Sequence, residues 1–224
     1  MNEKIIYDIT PFTHVDYPGK LAAIAWFNGC NMRCMYCYNS DIVFAKEGNY
    51  TVEELLNFLK KRVGLLDAVV LSGGEPTLRE LEPICREIKA LGFEIKLDTN
   101  GLKTERIESL VRQGLVDYIA LDFKAESEKF GFITGSSQYL RFCDTLDFLI
   151  RSGIDFEVRT TVHADLLNAE EINKMMAMLK ERGYEGPYYL QRFVETPHNI
   201  AHLAKPSREF DTEALDDTLP VVWR

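Results

Sequence analysis

Three of the five cysteines of this chain lie within the run Gly29-Cys30-Asn31-Met32-Arg33-Cys34-Met35-Tyr36-Cys37-Tyr38-Asn39, spaced C-x3-C-x2-C. Three thiolates this close together can face one metal centre. A structural zinc site takes four protein ligands, and the common iron–sulfur clusters take four cysteines. A cuboidal four-iron cluster held by only three leaves one iron open to a substrate or cofactor. The competing readings are a disulfide-linked loop and a zinc site completed by a distant His. An odd cysteine count and a start (Met1-Asn2-Glu3-Lys4) without the apolar core of a signal peptide argue against the first. The second lacks a nearby fourth ligand, because His14 is the only His ahead of the loop. Cys85 and Cys143 fall within helical patterns among apolar neighbours and read as core thiols. Two scattered cysteines leave no room for a second cluster.

Other polar clusters follow expected strands. Ser72-Gly73-Gly74-Glu75-Pro76 follows Ala68–Leu71, Asp98-Thr99-Asn100-Gly101 follows Phe93–Leu97, and Asp122-Phe123-Lys124 follows Tyr118–Leu121. Taken singly, a Gly-Gly pair is a tight turn, and Asp or Asn at a strand end forms an Asx turn or caps the next helix. Glycines also expose backbone groups to a ligand at close range, and Glu75 adds an acceptor for an ammonium group. Arg159, in a later strand, has an ion-pair partner as its plain reading. Met175, Met176 and Met178 read as helix packing.

The elements that position these residues alternate. Leu21–Phe27 is a continuous apolar run, as in a strand covered on both faces, and the cysteine loop follows it directly. Thr51 to Glu54 is a capping box opening a helix. Strand and helix then alternate through helices at about 80–91, 105–113, 138–151 and 168–182. The later strands are Phe156–Val162 and Tyr188–Phe193. Six strand–helix alternations without repeat or linker predict parallel strands with right-handed crossovers. The chain is shorter than the roughly 250 residues of an eight-unit barrel. The expectation is a single α/β domain over residues 1–224, an open partial (β/α)6 barrel with its core at about 10–193. An open doubly wound sheet is the structural alternative; both put ligand chemistry at the strand C-terminal ends. Val194–Arg224 reads as loop with one short helix near Asp211–Leu219.

A net charge of −9 gives no basic footprint for nucleic acid or an anionic membrane. No apolar run reaches transmembrane length. A cytoplasmic, thiol-reducing setting is expected, as a cysteine-ligated cluster requires.

The cysteine spacing together with Gly73-Gly74-Glu75-Pro76 resembles the radical S-adenosylmethionine (SAM) enzymes, whose fold is the partial barrel expected here. The resemblance implies one [4Fe–4S] cluster on Cys30, Cys34 and Cys37 and SAM on its open iron. It implies SAM contacts from Tyr36, Gly73, Gly74, Glu75, Asp98, Asp122, Lys124 and Arg159. Lys124 or Arg159 would pair with the SAM carboxylate. Asp98, Thr99 and Asp122 are candidates for a monovalent cation beside it. Tyr38 departs from the pattern of glycyl-radical activases, which usually carry His after the third cysteine, and Gln191-Arg192-Phe193 offers no His on the sixth strand.

Within that superfamily, His14-Val15-Asp16-Tyr17-Pro18-Gly19-Lys20, Ala25–Cys30, Leu65–Leu78, Lys96–Gly101 and Arg159–Val162 resemble the activases of anaerobic ribonucleoside-triphosphate reductase. The resemblance runs from about residue 10 to 193. It implies an oxidoreductase that cleaves SAM reductively and removes a hydrogen from a glycine of the reductase. Its partners would be the glycyl radical subunit of that enzyme and an electron donor such as flavodoxin or ferredoxin. The alternatives are an activase of another glycyl radical enzyme (pyruvate formate-lyase type), a small-molecule enzyme such as 7-carboxy-7-deazaguanine synthase, and a non-catalytic cluster carrier.

Overall fold

The computed structural model describes residues 3–224. Two compact units are present. The first comprises the chain up to Asn31 with Asp41–Thr99 and Lys103–Ala120; the second comprises Met32–Ser40, Asn100–Leu102 and Leu121–Arg224.

In the first unit β1 (Ile6–Thr13) lies antiparallel to β2 (Ala22–Phe27), with Ile6 opposite Phe27 and Thr13 opposite Ala22. β3 (Ala68–Gly73) is parallel to β2, Ala22 pairing Ala68 through Phe27 pairing Gly73, and β4 (Glu94–Thr99) is parallel to β3. The run Ala22–Phe27 is buried at five of its six positions, which explains its unbroken apolar character. Tyr17, Ala22, Ile24, Ala68 and Val70 form one core cluster, with Trp26 and Tyr118 against it. After the short α1 (Ser40–Phe44), α2 (Val52–Lys60) starts at the expected capping box. Glu54 N–H donates to Thr51 Oγ1 and Thr51 N–H donates to Glu54 Oε2. α3 (Glu82–Ala90) and α4 (Thr104–Arg112) complete the crossovers, and β5 (Tyr118–Asp122) carries the chain onward.

In the second unit α5 (Ser127–Thr134), α6 (Tyr139–Ser152) and α7 (Ala169–Glu181) accompany β6 (Asp155–Val162), β7 (Tyr188–Arg192) and β8 (Val221–Trp223). β6, β7 and β8 are mutually parallel. The strands are ordered as in the chain, β1 to β8, in an open sheet.

The six expected strands are β2 to β7. Three features depart from expectation. The first twenty residues contain β1, whose alternation is broken by register shifts between Ile6 and Asp8 and between Thr10 and Thr13. The segment before α6 holds α5, closed by Gly135 at φ 66°. The helix expected near Asp211–Leu219 is absent. Asp211 Oδ1 accepts from the amides of Glu213 and Ala214, a local turn that competes with helix propagation, and the chain goes on to form β8.

Candidate functional site

Parallel pairing brings the C-terminal ends of β2, β3 and β4 to one edge of the first unit. The cysteine loop leaves β2 there. Gly74 N–H donates to Phe27 O (2.8 Å) and Glu75 N–H donates to Gly29 O (2.8 Å). These bonds tie the glycine motif to the residue before Cys30. A Cβ on Gly74 would meet Gly29 O at 2.0 Å, and one on Gly73 (φ 121°) would meet Phe27 N at 2.4 Å. Glycine is therefore required at both positions by the approach of the β2 and β3 backbones, a demand separate from any ligand.

Glu75 is 1% exposed. Its Oε1 accepts from Thr77 N–H (3.1 Å), Thr77 Oγ1 (2.5 Å) and Thr99 Oγ1 (2.9 Å), so the carboxylate is fixed in direction. Asp98 is held from both sides. Lys96 Nζ lies 2.5 Å from its Oδ1, and Ser72 Oγ donates to its Oδ2 at 3.0 Å. The Lys96 side chain is 2% exposed. Sequence reasoning gave no role to Lys96, Thr77 or Ser72. The available signal was a lysine between Ile95 and Leu97, two apolar positions of an expected strand.

In the second unit the cysteine loop contributes Cys34 and Tyr36, both buried, and half-buried Cys37. Burial pushes the Cys34 thiol up to about 11, with the Lys124 charge opposing. Burial also raises Cys37 and Tyr36. The Tyr36 hydroxyl is enclosed without a hydrogen-bond partner, and Lys124 Nζ stands 5.9 Å from its ring centroid. Asp122 sits between two cations, 3.2 Å from Lys124 Nζ and 2.5 Å from Arg159 Nε. Burial opposes its ionisation, yet the Arg159 and Lys124 charges prevail and hold its pKa near 2. Burial likewise opposes the Lys124 charge, and Asp122 more than restores it. Lys124 and Arg159 thus both face Asp122, the plain ion-pair arrangement. Tyr38 is 52% exposed. Cys85 and Cys143 are buried in α3 and α6, as expected of core thiols, and burial raises Cys85 to about 12.

The loop is held within this unit by two other segments. Arg33 N–H and Met35 N–H donate to Thr134 O (2.7 Å) and Ile133 O (2.9 Å) at the end of α5. Ile200 N–H and Ala201 N–H donate to Cys37 O (3.1 Å) and Met35 O (3.0 Å). Residues after 193, which carry no recognisable motif, thus reach the backbone of the cysteine loop at Met35 and Cys37. Among the described residues no three His, Cys, Asp or Glu side chains stand together as a mononuclear metal site.

The Radical SAM superfamily profile matches residues 24–185. The chain belongs to the radical SAM superfamily. It is 33% identical over 184 residues to a candidate glycyl-radical enzyme activating enzyme of Methanocaldococcus jannaschii, covering 79% of this chain and 76% of that protein. It is 29% identical over 184 residues to the pyruvate formate-lyase-activating enzyme of Clostridium pasteurianum, covering 78% and 76%. It is thus homologous to glycyl-radical enzyme activating enzymes. In fold it is similar to Streptococcus suis SuiB bound to S-adenosylmethionine, with TM-score 0.68 and 14% identity over 88% of this chain and 48% of that one. It is also similar to anSMEcpe with bound AdoMet, with TM-score 0.62 and 18% identity over 75% and 49%. The chain spans about half the length of these solved structures. No helix among the described residues is long and apolar enough to cross a membrane.

Membership implies a [4Fe–4S] cluster and SAM. The residues present fit both groups. None of the three loop cysteines is in a disulfide, Tyr36 offers a buried hydroxyl without a partner, and Glu75 presents a carboxylate fixed by three donors.

Proposed function

We propose that this chain activates a glycyl radical enzyme, the anaerobic ribonucleoside-triphosphate reductase, as a single domain. One observation carries the reading. Glu75, held in direction by Thr77 and Thr99, is hydrogen-bonded through its own amide to Gly29, the residue before Cys30. A ligand amine received by Glu75 is thereby registered against the first cysteine of the loop. In this reading Cys30, Cys34 and Cys37 hold the cluster. Gly73, Gly74, Glu75, Asp98, Asp122, Lys124 and Arg159 bind SAM, with Tyr36 beside its adenine. When bound, the cluster and SAM would supply the one-electron chemistry needed to remove a hydrogen atom from the partner. The chain's own residues orient SAM and keep water from it. Buried Tyr36 and Cys34 serve the second task; Glu75 and the Asp122 ion pairs serve the first.

A monovalent cation beside the SAM carboxylate would be held by Asp98, Thr99 and Asp122. At Asp98 it would share the carboxylate with the Lys96 ammonium. Flavodoxin or ferredoxin would supply the electron, in a cytoplasmic setting that keeps the thiols reduced. The likeness to a pyruvate formate-lyase-activating enzyme supports a second reading, in which only the partner differs.

The test is anaerobic reconstitution with iron and sulfide, reduction, and assay of 5′-deoxyadenosine with the reductase subunit, with pyruvate formate-lyase, and alone. A glycyl radical signal on the reductase alone is expected. The same signal confined to pyruvate formate-lyase would transfer the assignment to the second reading. No SAM cleavage by the parent above a Cys34→Ala control would end the activase reading.

A further inference from the structure

The stretch from Asn199 to Arg208 is more ordered in its bonding than a surface tail needs to be. Asn199 is 1% exposed and fully used. Its Nδ2 donates to Thr196 O (2.9 Å) and Leu203 O (2.9 Å), and its Oδ1 accepts from Leu203 N–H (2.6 Å). His202 N–H donates to Asn199 O (3.1 Å), which closes a four-residue turn with Ile200 and Ala201 at its centre. Those two central amides point at the cysteine loop, onto Cys37 O and Met35 O. Beyond the turn the chain is tied down again. His163 Nε2 meets Ala204 O at 3.0 Å, Arg208 Nε donates to Ala164 O at 2.9 Å, and Ser207 N–H and Oγ donate to Asp165. Further along, β8 pairs with β7, and Arg224 makes a two-pronged contact (2.9 and 2.9 Å) with Glu157, itself 1% exposed.

We propose that residues 199–208 form a strap that sets the backbone of Met35 to Cys37, with Asn199 as its positioning residue. The strap thereby fixes the direction of the second and third cluster thiolates. The proposal rests on the assignment of Cys34 and Cys37 as ligands. Its physical basis is that a short loop bonded on one side only, at α5, retains freedom about its other carbonyls. Donors from Ile200 and Ala201 remove that freedom on the opposite side. The arrangement ties otherwise unremarkable sequence to the metal centre through backbone groups, which no residue pattern advertises.

Ile200→Pro removes the N–H that reaches Cys37 O, while proline suits the second position of such a turn. Ile200→Ala keeps that N–H and removes only the side chain. Amide hydrogen exchange on the cluster-free protein reads the strap directly. Slow exchange at Ile200 and Ala201 is expected in the parent, with at least tenfold faster exchange at Cys37 in Ile200→Pro and none in Ile200→Ala. After reconstitution, Ile200→Pro should bind less iron or show an altered electron paramagnetic resonance spectrum of the reduced cluster, and Ile200→Ala should match the parent. Asn199→Ala loosens the turn without touching either donor, and gives the same readings if the proline variant does not fold. Free exchange of the Ile200 and Ala201 amides in the parent overturns the strap. So does a parental cluster spectrum and iron content in both Ile200→Pro and Asn199→Ala. If the strap amides are protected but Cys34→Ala and Cys37→Ala bind iron as the parent does, the cluster assignment fails and the link from strap to metal falls with it.

Discussion

Replacing Lys96 by Met is the sharpest test of how the first unit is held together. Its ammonium lies 2.5 Å from Asp98 Oδ1, with side-chain exposures of 2% for Lys96 and 11% for Asp98. Methionine fills a similar volume, so packing is largely kept and the charge alone is lost. Removing one partner of such a pair leaves a carboxylate in a poorly solvated place, a cost of about 3–5 kcal/mol. That is roughly two to three and a half powers of ten in the folding constant. Ser72 Oγ still donates to Oδ2, which favours the lower end. The assay is urea unfolding followed by tryptophan fluorescence in a Trp223→Phe background, so that Trp26 in β2 reports the first unit. At pH 7 the Lys96→Met variant should lose the stated amount. Adding Asp98→Asn should recover most of the loss. A deficit below about 1 kcal/mol, or no recovery in the double variant, would refute the reasoning that this is a buried, coupled pair.

Three shorter predictions follow from the same geometry. Gly74→Ala would place a methyl group 2.0 Å from Gly29 O, so it should cost about 1–3 kcal/mol and lower iron loading by displacing Cys30; parental melting temperature and iron content would contradict this. Thr99→Val removes one of the donors on Glu75 Oε1 and should weaken SAM binding by about fivefold, near 1 kcal/mol, with Thr99→Ser restoring it; calorimetric titration showing equal affinity in all three would sink the role given to Glu75 orientation. Asp122 has its pKa lowered from 3.8 to about 2, so its contribution, roughly 2 kcal/mol, is present above the unfolded value and lost as pH falls through the folded one. The stability advantage of the parent over Asp122→Asn should therefore be full above about pH 5 and gone near pH 2; a constant gap across that range would count against it.

The chemistry-bearing stretches were legible because each had a local cause. The Gly-Gly-Glu-Pro turn and the Thr51 capping box are set by neighbours a few residues away, and both stand where the sequence places them. β2, β3 and β5 were legible as apolar runs of strand length bounded by turn residues, and β4, β6 and β7 by their place in the strand–helix alternation. β1 was not, since its bulges break the alternation, and α5 hid behind the mid-helix Gly131. The pairing of Lys96 with Asp98 joins two residues of one strand, yet nothing in sequence says that both are enclosed. The bonds from Ile200 and Ala201 to the cysteine loop were invisible for a stronger reason. They use main-chain groups that every residue carries, so no choice of side chain at either end records them.

Those bonds also bear on the order of events in folding. Ile200 and Cys37 are about 160 residues apart, and closing a loop of that size costs on the order of 4–5 kcal/mol of chain entropy. The β2–β3 pairing and the capped helices close far shorter loops. The thiols of Cys34 and Cys37 therefore reach their final setting late, on a scaffold already formed around them. A cluster assembled on the finished chain would therefore meet a loop already closed on both sides, by the end of α5 and by the turn at Ile200 and Ala201.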